Sequence, residues 1–148
     1  MLPNINKNIT FTSMPLILHI EDNQGDIMLT QEAFEGYELV PEFCVAENGQ
    51  VGWDYLQSGK PIPDLILLDL NMPVMDGKEF LRKMKQNERF ASIPTVVLTT
   101  SKNEQDVEEC YQLRANAYVQ KKLDYDEFQE LIHDLANFWL NQNIKPIQ

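Results

Sequence analysis

Cations are the scarce class in this chain: 12 Lys and Arg stand against 23 Asp and Glu, a net charge of −11 over 148 residues. A surface for nucleic acid or anionic membrane needs clustered Lys and Arg, so neither is expected among the partners. Metal cations and basic patches on another protein remain open. Cysteine is nearly absent. Cys44 and Cys110 lie far apart and match no metal-ligand spacing, which reads as two reduced core thiols in a cytoplasmic protein. No stretch approaches the ~20 apolar residues of a membrane span, and the N-terminus lacks the basic-then-apolar pattern of a signal peptide. The Asn8-Ile9-Thr10 sequon is then chance. Internal repeats and low-complexity tracts are missing too.

What is present is an ordinary globular composition, 43% hydrophobic and 24% charged, at a length that suits one domain with a real core. The organising stretch is Asp64 to Gly77. Leu65-Ile66-Leu67-Leu68 is an unbroken apolar run with Asp69 at its far end, closed by Asn71-Met72-Pro73. A run this short and this hydrophobic reads as a strand buried on both faces, at the centre of a parallel sheet. Asp69 then lies at the carboxyl edge of that strand, where open α/β sheets bind ligands. Asp64, before the strand, reads as a turn or cap residue.

Residues 1–15 are polar, non-periodic and proline-containing, and read as a loosely attached arm. Leu16 to Ile20 is a buried strand running into Glu21-Asp22-Asn23, with His19 expected as a hydrogen-bonded core histidine. A helix from Gly25 to about Tyr37 follows, with Ile27, Thr30, Phe34 and Tyr37 on one stripe. Pro41 to Ala46 reads as a second strand. A short helix through Trp53 and Leu56 ends at Gly59, and another runs from Lys78 to about Glu88. Thr95 to Thr99 is the fourth strand, a helix with Val107, Cys110 and Tyr111 comes next, and Ala117 to Gln120 is the fifth strand. The last helix has the clearest period, with Phe128, Leu131, Ile132, Leu135, Phe138 and Trp139 on one face. Five strands alternating with five helices imply a doubly wound parallel sheet of flavodoxin-like order 2-1-3-4-5. The folded domain is expected over 16–140, with 141–148 as a tail.

In that order Glu21, Asp22 and Asp69 converge at the switch point. Three carboxylates so close would drive at least one pKa upward, and a hard divalent cation such as Mg²⁺ relieves the repulsion. The backbone carbonyl of Asn71 offers a further oxygen. A metal-bound carboxylate with the ammonium of Lys121 and the hydroxyl of Thr99 suits phosphoryl transfer onto Asp69, because the three neutralise the equatorial phosphoryl oxygens. Each has a bland alternative as a strand-end or surface residue. Their coincidence at four strand ends is what favours the site.

These residues resemble the receiver domains of two-component response regulators, over roughly Leu16 to Trp139. The resemblance rests on Glu21-Asp22-Asn23, the stretch from Asp69 to Gly77, Pro94 to Thr99, and Tyr118-Val119-Gln120-Lys121. Thr99 lies 30 and Lys121 52 residues beyond Asp69, the separations of compact receivers. It implies Asp69 as phosphoacceptor, Glu21 and Asp22 as Mg²⁺-binding acids, Lys121 as the phosphate-pairing lysine and Thr99 as the switch hydroxyl. Tyr118 would be the aromatic that turns inward, and Asn71 and Ser101 the positions that tune dephosphorylation. One departure stands out. The family has proline after the lysine, in a cis bond, and here Lys122 follows Lys121; a cis non-proline bond costs about 2.5–4 kcal/mol, so the loop is either strained or trans with its lysine moved.

Asp26 four residues after Asp22, the linker from Asn87 to Ile93 and the Phe138-Trp139-Leu140 ending resemble the small regulators paired with phytochrome histidine kinases. The expected function is a stand-alone phosphoacceptor rather than an enzyme, taking its phosphoryl group from a sensor histidine kinase. No output domain fits the chain. The signal is therefore expected to leave by protein contacts at the fourth helix, fifth strand and fifth helix, where a homodimer could form. A phosphoaspartate phosphatase would need a carboxylate where Asn71 stands, and a flavin or nucleotide module would be repelled by Glu21-Asp22. An unphosphorylated docking module on the same fold is the remaining alternative.

Overall fold

The apolar runs become parallel strands in the computed structural model, which describes residues 14–35 and 40–146. In chain order these are β1 (Leu16–Ile20), α1 (Gln24–Phe34), β2 (Glu42–Ala46), α2 (Gly49–Gln57), β3 (Leu65–Leu68), α3 (Gly77–Gln86), β4 (Thr95–Thr99), α4 (Glu104–Gln112), β5 (Ala117–Gln120) and α5 (Tyr125–Ala136). The sheet order is β2-β1-β3-β4-β5, all parallel, as the alternation of elements implies. Most of the arm expected over 1–15, the Asn8 sequon and Tyr37 lie outside the described residues.

The unbroken apolar runs have a direct cause. Side chains alternate across a strand, so β3 sends Ile66 and Leu68 to one core and Leu65 and Leu67 to the other. The first core joins Leu18, Ile20 and Val97 to Leu56, Phe80, Leu81 and Cys110 of α2, α3 and α4. The second joins Ile17, Val96 and Leu98 to Phe34, Phe128, Ile132 and Leu135 of α1 and α5. β2 lies at the edge and is correspondingly exposed: Cys44 is only half-buried there, whereas Cys110 is buried, and both thiols are free.

Each of α1 to α5 starts on an Asx side chain that accepts a backbone N–H of its first turn: Asn23, Asn48, Asp76, Asn103 and Asp124. Such caps contribute about 1 kcal/mol each, and they fix the helix N-termini at the carboxyl edge of the sheet. At the opposite edge Asp64 Oδ2 accepts from Leu16 N at 2.8 Å and Asp64 Oδ1 pairs with Lys145 at 2.8 Å, a structural role that joins distant segments rather than capping a turn or helix. Lys85 is buried, its ammonium donating to Ala91 O at 3.0 Å and Asn116 Oδ1 at 3.2 Å, which stitches the linker after α3 to the turn before β5. Burial pushes its pKa down to about 8.

Two expectations need correction. His19 is in the core, but its Nδ1 has no hydrogen-bond partner, and burial pulls the imidazole down to about 3. The last helix changes to a π-helical turn over Asn137–Gln142, closed by Asn143 N donating to Phe138 O at 2.7 Å. The wider turn breaks the period. Trp139 still packs on the second core, while Phe138 is 50% exposed and meets the Trp139 ring edge-on at 5.0 Å.

Candidate functional site

Ladder register brings the polar residues together. Ile20 and Leu68 are partners across β1 and β3, and the next residue continues the pairing, with Asp69 N donating to Ile20 O at 3.0 Å. Glu21 N likewise donates to Ala46 O at 2.9 Å, and Lys121 N to Thr99 O at 2.7 Å. Glu21, Asp69, Thr99 and Lys121 therefore leave adjacent strand ends in one row, and all four are buried.

One carboxylate oxygen from each of Glu21, Asp22 and Asp69 lies within 4.8 Å of the others; Asp22 is exposed and the other two are buried. The set is all oxygen and carries three formal negative charges, which suits a hard divalent cation that keeps some of its waters. Burial pushes the Glu21 carboxyl up, the Lys121 hydrogen bond opposes this, and the Asp69 charge adds to it. A cation would remove that conflict. Asn71 is exposed on the loop after β3, two residues beyond Asp69.

Lys121 supplies the compensating charge. Its Nζ donates to Glu21 Oε1 at 2.5 Å and to Asp26 Oδ2 at 2.8 Å, and stands 3.8 Å from Asp69 Oδ1. Burial works against the ammonium, but the hydrogen bonds to Asp26 and Glu21 and the charge of Asp69 outweigh it and hold its pKa above the ordinary value. Thr99 Oγ1 accepts a long hydrogen bond from Ser101 N at 3.4 Å. Tyr118 is half-buried, and its hydroxyl donates to Ser101 O at 2.8 Å.

A family profile described as the response regulator receiver domain matches residues 17–133. The chain belongs to the receiver-domain family. Response regulator Rcp1 of Synechocystis sp. is 38% identical over 136 residues, covering 88% of this chain and 92% of that protein. Among solved structures, the phosphorylated cyanobacterial phytochrome response regulator RcpA superposes with a TM-score of 0.88 at 34% identity, covering 91% of this chain and 100% of that one. The Mn²⁺-bound form of Rcp1 superposes at 0.85 with 36% identity, covering 90% and 99%.

Within this receiver the residue after the lysine matters less than its absence of proline implied. No described peptide bond is cis, so Lys121-Lys122 is trans, and the Lys121 side chain still reaches the acidic cluster. Ser101 directs its hydroxyl elsewhere: Oγ donates to Asp106 Oδ2 at 2.7 Å, and Asp106 with Glu109 holds Lys78 at 2.6 and 2.8 Å. Those ties join the loop after β4 to α4 and α3, and reading the sequence did not find them. Asp26 entered there only as a subfamily mark four residues after Asp22, with no part in the site. The available signal was its spacing: one helical turn beyond Asp22, a side chain points back toward the same strand edge.

The loop after Asp69 is held under tension. Val74 adopts φ 69° and is 80% exposed, a left-handed backbone that a β-branched residue rarely tolerates. Val74→Gly is expected to raise unfolding free energy by about 0.5–1 kcal/mol, because the relieved strain exceeds the added freedom of the unfolded chain. Thermal melts of the two proteins test this; a lower midpoint for the variant would contradict it.

Proposed function

We propose that this receiver accepts a phosphoryl group from the phosphohistidine of a sensor histidine kinase onto Asp69, with Mg²⁺ bound by Glu21, Asp22, Asp69 and the Asn71 carbonyl. One observation carries the reading: the buried Asp69 carboxylate shares a cluster of oxygens within 4.8 Å with Glu21 and Asp22, and Lys121 stands 3.8 Å away. An Asp69 oxygen forms the new P–O bond as the P–N bond to the donor imidazole breaks, its electron pair remaining on the ring nitrogen. When bound, Mg²⁺ would offset the charge of the phosphoryl oxygens. Lys121 supplies a second positive charge, and the Thr99 hydroxyl a hydrogen bond, as the switch. The chain is on this reading a phosphoacceptor that assists its own phosphorylation and dephosphorylation, with Asn71 and Ser101 shaping water access, rather than an enzyme acting on separate substrates. On this reading the place of action is the cytoplasm, the expected compartment of two reduced cysteines.

Similarity to the phytochrome response regulator RcpA supports a phytochrome as the kinase. Movement of Thr99 would pass through Ser101 to Tyr118 and α4, since Ser101 touches all three. A shift of a few kcal/mol in differential contact is enough for such a switch. A downstream protein would read it at α4, β5 and α5, the face where a second copy would also dock.

Intact mass after incubation with acetyl phosphate, with Mg²⁺ or with excess chelator, tests the reading on wild type and Asp69→Asn. The expected result is one Mg²⁺-dependent phosphoryl group on wild type and none on the variant. An unlabelled wild type, with small donors and with phosphorylated histidine kinases, would favour the docking-module alternative.

A further inference from the structure

The ion pair between Lys121 and Asp26 has no part in the scheme above, yet it crosses 95 residues of sequence to the centre of the site. Asp26 is well placed to hold a cation. Its backbone N donates to the Asn23 cap at 2.9 Å and its carbonyl accepts from Thr30 Oγ1 at 2.7 Å, so the first turn of α1 is fixed and the carboxylate projects to Lys121.

Lys121 donates to two carboxylates that differ in one respect. Glu21 belongs to the oxygen cluster that suits a cation, whereas Asp26 does not. A cation drawing on Glu21 would leave Asp26 as the carboxylate still bonded to the buried ammonium. The third carboxylate, Asp69, stands 3.8 Å from the ammonium, a full ångström beyond the 2.8 Å contact with Asp26.

We propose that Asp26 is a positioning residue for Lys121, holding its ammonium beside Asp69 rather than against it until a phosphoryl oxygen competes the ammonium away. This rests on the phosphoacceptor reading of Asp69. Two effects of opposite sign follow from charge alone. Without the Asp26 charge the cluster attracts a divalent cation less strongly. An anionic group on Asp69 then meets less repulsion and gains a lysine with no competing partner.

The test compares wild type, Asp26→Asn and Asp26→Glu as full-length chains. Three quantities are measured: Mg²⁺ affinity, beryllofluoride affinity at saturating Mg²⁺, and the Lys121 side-chain amine signal by NMR in chelator. In Asp26→Asn, Mg²⁺ is expected to bind about three- to fivefold more weakly and beryllofluoride about three- to fivefold more tightly, the size of a partly exposed ion pair. The Lys121 signal should shift before any ligand is added, and Asp26→Glu should return all three readouts toward wild type. Unchanged affinities in Asp26→Asn, or both weakened together with a lower melting midpoint, would show Asp26 to be merely structural and overturn the proposal while the phosphoacceptor reading stands. A wild type that binds neither Mg²⁺ nor beryllofluoride would overturn both.

Discussion

Gly77→Ala is expected to cost about 2–4 kcal/mol of stability and to abolish phosphoryl labelling of Asp69 together. A Cβ at Gly77 would lie 2.2 Å from Asp69 O and 2.8 Å from Leu70 Cα. Both are backbone atoms, so no side chain can rotate aside. Overpacking in a close-packed interior costs 1–3 kcal/mol and occasionally more, and here the segment displaced carries the phosphoacceptor. Gly77 N also donates to Leu70 O at 2.9 Å, so relief of the clash breaks the bond that closes the loop. Gly49 is the companion contact, its N–H donating to Met75 O at 2.9 Å where a Cβ would come to 2.5 Å. Gly59→Ala separates the two reasons for glycine: φ there is +82° with nothing within 4 Å, so only the backbone penalty of about 1 kcal/mol applies, and labelling should persist. Urea denaturation and intact mass of the two variants measure both quantities. A Gly77→Ala protein within 1 kcal/mol of wild type that still labels would mean the loop adjusts more freely than these contacts allow.

His19→Leu is expected to remove much of the acid sensitivity of the fold. The imidazole is buried beside Phe43, 6.5 Å between ring centroids, and Nδ1 has no partner. Burial lowers its pKa from 6.5 to about 3; the charge of Lys121 lowers it further and that of Asp26 opposes weakly. Between pH 6.5 and 3 the unfolded chain therefore binds the proton that the folded chain refuses. Stability is fully present above pH 6.5 and falls as pH falls through that window. From pH 7 to pH 4 the loss attributable to His19 is about 3 kcal/mol.

Glu21 works the other way. Its folded pKa is raised, so its contribution is present below its ordinary 4.5 and is lost as pH rises toward the folded value. With His19 removed, that opposing trend should emerge, and the slope between pH 4 and 7 should flatten or reverse. Urea melts at pH 7 and pH 4 in chelator give the comparison without metal. At pH 7 the variant should also gain about 1 kcal/mol or more, since an unpaired buried polar atom has been replaced by a packed alkyl group. Equal losses on acidification in wild type and variant would assign the acid sensitivity to other groups.

Much of this receiver follows from local pattern. Leu65 to Leu68 had to be a strand covered on both faces, because an unbroken apolar run of that length has no solvated side, and the parallel order then follows from alternation with helices. Register does the rest for the main site. Because Glu21, Asp69, Thr99 and Lys121 each come directly after, or at the end of, an apolar run, aligning the runs aligns the polar ends. Such residues are legible from position alone, before any side-chain direction is known.

Tertiary structure decided the partners. Asp26 meets Lys121 only because α1 packs against α5, the helix that follows Lys121, and nothing local to either residue carries that distance. His19 sits in a strand whose pattern demands burial, but whether its nitrogen finds a partner depends on which groups the neighbouring strands and helices present there. Ser101 turns to Asp106 because the first turn of α4 places a carboxylate facing it five residues on. Phe138 leaves the core because one π-helical turn rotates the face that a 3.6-residue period had kept apolar. Periodicity and strand ends are properties of a segment and can be read from it. Ion pairs, orphaned nitrogens and helix phase depend on distances between segments, which are set only when the whole chain packs.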